Sequence, residues 1–173
     1  MRTIVAIPYD GVVALNVCPA HLALRMEGID HEQYLCIGDL DYGDIIAAIW
    51  RSGHGFILIE HDVVPWPGAL ATLEACQYDW CCHLYPYHSD QPAGTRDRLG
   101  GSIGCVKFST RLVKAHPDLC DAWEGVPWRA VDGHMIQAIG PALGQDRGEE
   151  CAFWHEHLPP VAHARRYETE VAA

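Results

Sequence analysis

The segment FILIEHDVV, residues 56–64, constrains the fold more than any other part of the chain. Its apolar run is unbroken rather than alternating, the pattern of a strand covered on both faces, and such strands belong to sheets with helices packed on either side. The run then meets Glu60-His61-Asp62 without an intervening turn residue. In an extended strand, residues i and i+2 share a face about 6.5–7 Å apart, so Glu60 and Asp62 are expected to point into one crevice and His61 the other way. Two carboxylates at the end of a buried strand are costly unless paired, and a divalent cation bridging to phosphate oxygens removes that cost. Solvated loop acids are the plain alternative, because acid-x-acid triplets are common. The position at the end of a buried strand is what favours a site.

Strand and helix signals alternate around this segment. Residues 3–8, TIVAIP, read as a buried first strand ended by proline. A helical pattern carrying Leu22, Leu24 and Met26 runs to Gly28, and Gln33 to Ile37 read as a second strand. Asp44 is placed to cap a helix through Trp50, with Gly53 and Gly55 after it. Pro67-Gly68 opens a helix to about Cys76, and Trp80 to Tyr85 form another strand before the polar segment HSDQPAGTRDRLGGS. Ser102 to Phe108 return to a strand, Ser109 or Thr110 caps a helix through His116, and Asp132 stands where a helix to about Ile139 begins. Gly140 to Glu150 read as a connection, and the terminal CAFWHEHLPPVAHA as an extended segment. This order predicts an α/β fold whose central sheet is mainly parallel, mixed at its late strands and flanked by helices, with ligands at the carboxyl ends of the strands.

At 173 residues the chain fits one domain. A formal net charge of −11 disfavours a general grip on nucleic acid or anionic lipid. No apolar run reaches the ~20 residues of a membrane span, and MRTIVAIPYD lacks a signal peptide's layout, so a cytoplasmic protein is expected. The eight cysteines are scattered and several lie in apolar runs, as reduced core thiols would. Cys81-Cys82-His83 with His88 offers zinc donors, but strand neighbours point to opposite faces and no second cysteine pair follows.

FILIEHDVVPWPGAL resembles the strand, acidic metal motif and following helix of GT-A glycosyltransferases of the family-2-like kind, where an apolar strand leads into a DxD-type motif followed by proline. The resemblance implies one Rossmann-like GT-A domain over residues 1–163, with a C-terminal tail at 164–173. It also implies transfer of a sugar from a nucleotide-sugar donor to a hydroxyl acceptor, with inversion and with Mn²⁺ or Mg²⁺ as cofactor. Asp62 then corresponds to the metal ligand. Glu60, standing where the family has Asp, faces the donor ribose or sugar or meets the metal through water, and His61 lies between them in the donor site.

The same resemblance extends along the chain. TIVAIPYDG is similar to the first GT-A strand, which puts Pro8 and Tyr9 beside the donor base, with Tyr9 as a surface aromatic the other reading. IGDLD supplies Asp39 or Asp41 where the family reads the base, although either residue also suits a turn. GSIGCVKFSTRLV resembles the strand bordering the donor sugar, where Gly101 and Gly104 allow close backbone approach unless they are ordinary strand glycines. WRAVDGHM resembles the segment bearing the general base, which points to Asp132; Asp132 also suits a helix N-cap, and one residue can do both. HEHLPPVAH offers His155, His157 and His163, and several GT-A enzymes return a C-terminal histidine to the metal. His155 and His157 share a strand face; which histidine binds is left open, with solvated surface imidazoles the alternative.

Only about twenty residues separate the second strand from the acidic one, too few for the additional βα unit of larger relatives. Its loss removes acceptor-binding surface, which a partner or a second copy in a homo-oligomer would supply. Two rivals remain. A nucleotidyltransferase shares an acidic metal site but wants a glycine-rich basic loop after the first strand, where this chain has YDGVVALN. A catalytically silent metal- or nucleotide-binding module fits the short chain. Neither the acceptor nor the donor base is legible.

Overall fold

The computed structural model describes residues 2–8, 18–61, 63–83, 104–143, 155–157 and 161–163. Strand β3 (Phe56–Glu60) lies inside a six-stranded sheet between β1 (Arg2–Pro8) and β6 (Cys105–Phe108). Beyond β1 is β2 (Glu32–Cys36); beyond β6 come β5 (Trp80–His83) and β7 (His155–His157), giving the order β2-β1-β3-β6-β5-β7. The sheet is mixed: β1 pairs with β2 and β3 in parallel and β5 with β7 in parallel, while β6 runs antiparallel to both its neighbours. A mixed α/β sheet was expected, but its antiparallel pairing is not confined to the edge: β6 brings it to the centre, beside β3. A separate two-stranded antiparallel sheet joins β4 (Val63–Pro65) to β8 (Val161–His163).

Helices cover both faces, which is why β3 is apolar throughout. Phe56 and Leu58 enter a cluster shared with Tyr42, Ile46 and Trp50 of α2 (Asp41–Arg51), Leu112 of α4 (Thr110–Ala115), and Val131, Met135 and Ile139 of α5 (Trp128–Ala142). Ile57 and Ile59 enter the opposite cluster with Leu24 of α1 (Pro19–Met26) and Leu70 and Leu73 of α3 (Ala69–Ala75). The same alternation sends Cys82 to the first cluster and Cys81 to the second, so these thiols diverge as strand geometry requires. The described cysteines are all free thiols, and Cys76 alone among them is not fully buried. Burial pushes the Cys81 and Cys105 thiols up to about 12, so neither supplies a thiolate near neutrality. His83 is buried with Nε2 2.9 Å from the Ala69 carbonyl, a structural role.

An aromatic cluster pins α2 to the sheet: Trp50 meets Phe108 and Trp123 edge-on at ring separations of 5.5 and 5.2 Å, and its Nε1 donates to the His116 carbonyl at 2.9 Å. Several local expectations shift. The α1 face is Ala20 and Leu24, whereas Leu22 and Met26 are 42% and 89% exposed, because residues two apart do not share a helix face. Helix α2 begins at Asp41, and Asp44 instead accepts the Gly125 amide at 2.7 Å. Ser109 does cap α4, accepting the Leu112 amide at 3.1 Å. A 3-10 turn, Pro117–Ala122, goes unforeseen. Among the described residues no helix is long and apolar enough to cross a membrane.

Helix α2 also approaches the loop before α5 closely at Gly43, where an added Cβ would stand 2.3 Å from the Trp123 carbonyl oxygen. We predict that Gly43→Ala costs about 2 kcal/mol or more, the scale of core overpacking. Urea denaturation reads this as a lowered midpoint; an unchanged midpoint would mean that α2 and the loop separate freely.

Candidate functional site

Because β1, β2 and β3 run in parallel, their carboxyl ends lie together, and antiparallel β6 begins at the same end. There the Glu60 amide donates to the Gly104 carbonyl at 2.9 Å. Glu60 continues the Phe56–Leu58 alternation, so its carboxylate turns toward α2, where the buried Tyr42 hydroxyl donates to its Oε1 at 3.0 Å. Tyr42 in turn stacks on Trp128 with ring centroids 3.8 Å apart and planes 18° from parallel. Trp128 opens α5, and its amide donates to the Asp39 carbonyl at 2.8 Å. Four residues on, one helical turn along the same face, stands Asp132. Glu60, Tyr42, Trp128 and Asp132 thus form a continuous line from the strand end to α5.

Asp132 is the fifth residue of α5, so it is not the N-cap that the sequence suggested; that position falls to Pro127. Its side chain is half-buried, and burial pushes the carboxyl up to about 7, partly opposed by a backbone hydrogen bond. A carboxyl held there exchanges its proton near neutral pH, the property a general base needs.

The turn after Glu60 is braced by α1. The His61 carbonyl accepts from the Ala20 amide and from Cys18 Sγ, both at 3.2 Å. The strand ends at Glu60 and the chain enters a different sheet at Val63, so the alternation invoked to bring Glu60 and Asp62 onto one face stops before Asp62. Asp62 itself, with Tyr9 and Gly101, lies outside the described residues. Pro8 ends β1 and Gly104 precedes β6, both at this rim. Asp41 makes the turn: its Oδ2 accepts the amides of Ile37 and Gly38 at 2.7 and 2.8 Å. Asp39 is exposed beside it.

The C-terminal histidines divide. His155 and His157, on β7, are in register with Cys81 and His83 of β5, which sets them three strands from β3 and so about 14 Å across the sheet. His163 pairs with Val63, directly after the acidic turn. Among the described residues no three metal-ligating side chains cluster. Sequence reasoning missed Tyr42 and Trp128 as site residues: Trp128 opens the WRAVDGHM segment that was read only for Asp132, and Tyr42 directly follows the IGDLD segment that was read only for its acids.

No protein-family model matches the sequence, and no curated protein matches it. Among solved structures, the chain is similar to a glycosyltransferase involved in the glycosylation of the major capsid of PBCV-1, over 98% of both chains, with a TM-score of 0.52 and 11% identity. It is also similar to A197 from STIV over 66% of this chain and 68% of that one, with a TM-score of 0.48 and 17% identity. The first likeness shows that the chain has a glycosyltransferase-like fold.

Stability tests the Asp132 environment. With the folded-state value raised above the usual carboxylate range near 4, the native state binds this proton more tightly than the unfolded chain. The resulting stabilisation is complete below about pH 4 and is lost as pH rises through about 7. Asp132→Asn should match wild type at pH 4 and exceed it at pH 8 by about 1–2 kcal/mol, less than the full linkage because the group is only half-buried. Equal urea midpoints at pH 8 would mean a solvated carboxylate.

Proposed function

We propose that the protein is a glycosyltransferase that moves a sugar from a nucleotide-sugar donor to a hydroxyl acceptor in a single inverting displacement. The observation that carries this reading is Asp132. It has a carboxyl near neutrality, one helical turn from the Trp128–Tyr42 stack that leads to Glu60. The glycosyltransferase-like fold supports the reaction class.

In this scheme Asp132 takes the proton of the acceptor hydroxyl as that oxygen attacks the anomeric carbon from the face opposite the leaving nucleotide. Tyr42 holds Glu60 by its hydrogen bond, so that the carboxylate meets the donor in one orientation. Asp39 and Pro8, at the ends of neighbouring parallel strands, flank the donor base, and the Gly104 backbone lines the sugar. The residue types along the acidic turn suit a divalent ion: Glu60 ends a buried strand, Asp62 follows two positions on in the sequence, and the β4–β8 register sets His163 opposite Val63. Carboxylates with an imidazole suit Mn²⁺, and carboxylates alone suit Mg²⁺. When bound, such an ion supplies charge neutralisation of the diphosphate leaving group.

Calorimetry with a panel of nucleotide-sugars and Mn²⁺ tests the donor site. Binding is expected in wild type and Asp132→Asn and is expected to vanish in Asp62→Ala. Absence of binding by every donor would favour a silent module. Transfer or donor hydrolysis should fall at least about 100-fold in Asp132→Asn, the usual scale for losing a general base. In wild type the rate should rise with pH and level off above about 7, because the base acts only when ionised. A retained anomeric configuration in the product, read by NMR, would eliminate the single displacement.

A further inference from the structure

A pair of histidines away from the acidic turn presents an arrangement that the proposed reaction does not use. His21, in the first turn of α1, and His31, immediately before β2, approach edge to face with ring centroids 4.9 Å apart. His21 Nδ1 and His31 Nε2 are 2.7 Å apart. The other nitrogen of His31, Nδ1, lies 2.9 Å from the Ile29 carbonyl. A carbonyl only accepts, so His31 Nδ1 carries a proton and, in the neutral ring, Nε2 is left with its lone pair toward His21. On the other side the Gln33 side-chain amide lies 2.8 Å from His21 Nδ1. Either a proton shared between the two imidazole nitrogens or a metal ion that displaces it satisfies this convergence of two ring nitrogens and an amide.

We propose that His21, His31 and Gln33 form a zinc-binding site that fastens α1 to the edge strand β2. The donated hydrogen bond from His31 Nδ1 to a backbone carbonyl is the outer contact that fixes ligating histidines in the correct tautomer. A half-turn of the Gln33 amide exchanges its nitrogen for its oxygen and supplies a third donor. Two imidazoles bound at about 2.0–2.1 Å need their nitrogens roughly 3.3 Å apart, so the pair opens by about half an ångström, within reach of two half-buried side chains. Water completes the coordination. Imidazole donors select zinc over magnesium or manganese, which separates this site chemically from the acidic turn.

The site closes the loop from α1 into β2, and α1 is the helix whose Ala20 amide holds the His61 carbonyl. Its occupation is therefore expected to raise the thermal midpoint of the whole chain.

Titration of Zn²⁺ into the full chain by calorimetry, beside His21→Gln and His31→Gln variants checked by circular dichroism, tests the assignment. Wild type is expected to bind one more equivalent at micromolar Zn²⁺ than either variant, and Asp62→Ala is expected to keep that equivalent. Equal uptake in wild type and either histidine variant, or loss of the equivalent in Asp62→Ala, would overturn the assignment. The wild-type chain gives an independent reading that does not depend on variants folding. Zn²⁺ should shield His21 and His31 from diethylpyrocarbonate, measured peptide by peptide by mass spectrometry; modification at the same rate with and without Zn²⁺ refutes the site.

Discussion

Phe56 to Ile59 lie at the middle of the sheet, with β1 on one side, β6 on the other, and helices above and below. Every side chain in that stretch is committed to one core or the other, so Glu60 is the first position on β3 that can carry charge without an intolerable desolvation cost. Pairing fixes where that position falls. Glu60 meets Gly104 across the β3–β6 ladder and is in register with Ala6 of β1, two residues before that strand ends at Pro8. The rim of the sheet is thus defined by where burial stops, and chemistry collects at that boundary.

The electrostatics of the rim follow from its packing. Tyr42 is fully buried yet keeps its hydroxyl satisfied by Glu60, while its ring face is covered by Trp128. Asp132 follows Trp128 by one turn of α5, and its own burial disfavours its ionised form. Gly43, by lacking a side chain, lets α2 seat against the loop before α5.

Local signals were legible where one residue type decides the outcome. The unbroken run of β3, the proline ending β1 and the serine capping α4 each carry their own physical reason; β1 and α4 formed where they were read, while β3 stops at Glu60 rather than running on to Val64. What the sequence withheld depended on distant partners. Helix α5 starts at Trp128 without a capping side chain because the Tyr42 ring and the Asp39 carbonyl receive it, so reading Asp132 as its beginning came four residues late. Val63 and Val64 look like a continuation of β3 but pair with Ala162 and His163, a contact that no local pattern announces. At the site, the acidic motif and Asp132 stood out by residue type, whereas Tyr42 became visible only once α2 was seated on the sheet.

The antiparallel direction of β6 has one further consequence. β5 leaves the sheet at His83 and β6 enters it near Gly104, and both points belong to the rim where Glu60 ends. Because β6 runs back across the sheet, the end of β5 and the start of β6 add their termini to the rim that the parallel strands β1, β2 and β3 already define. A substitution at either terminus alters that rim while leaving in place the backbone pairing of Phe56 to Ile59 with β1 and β6.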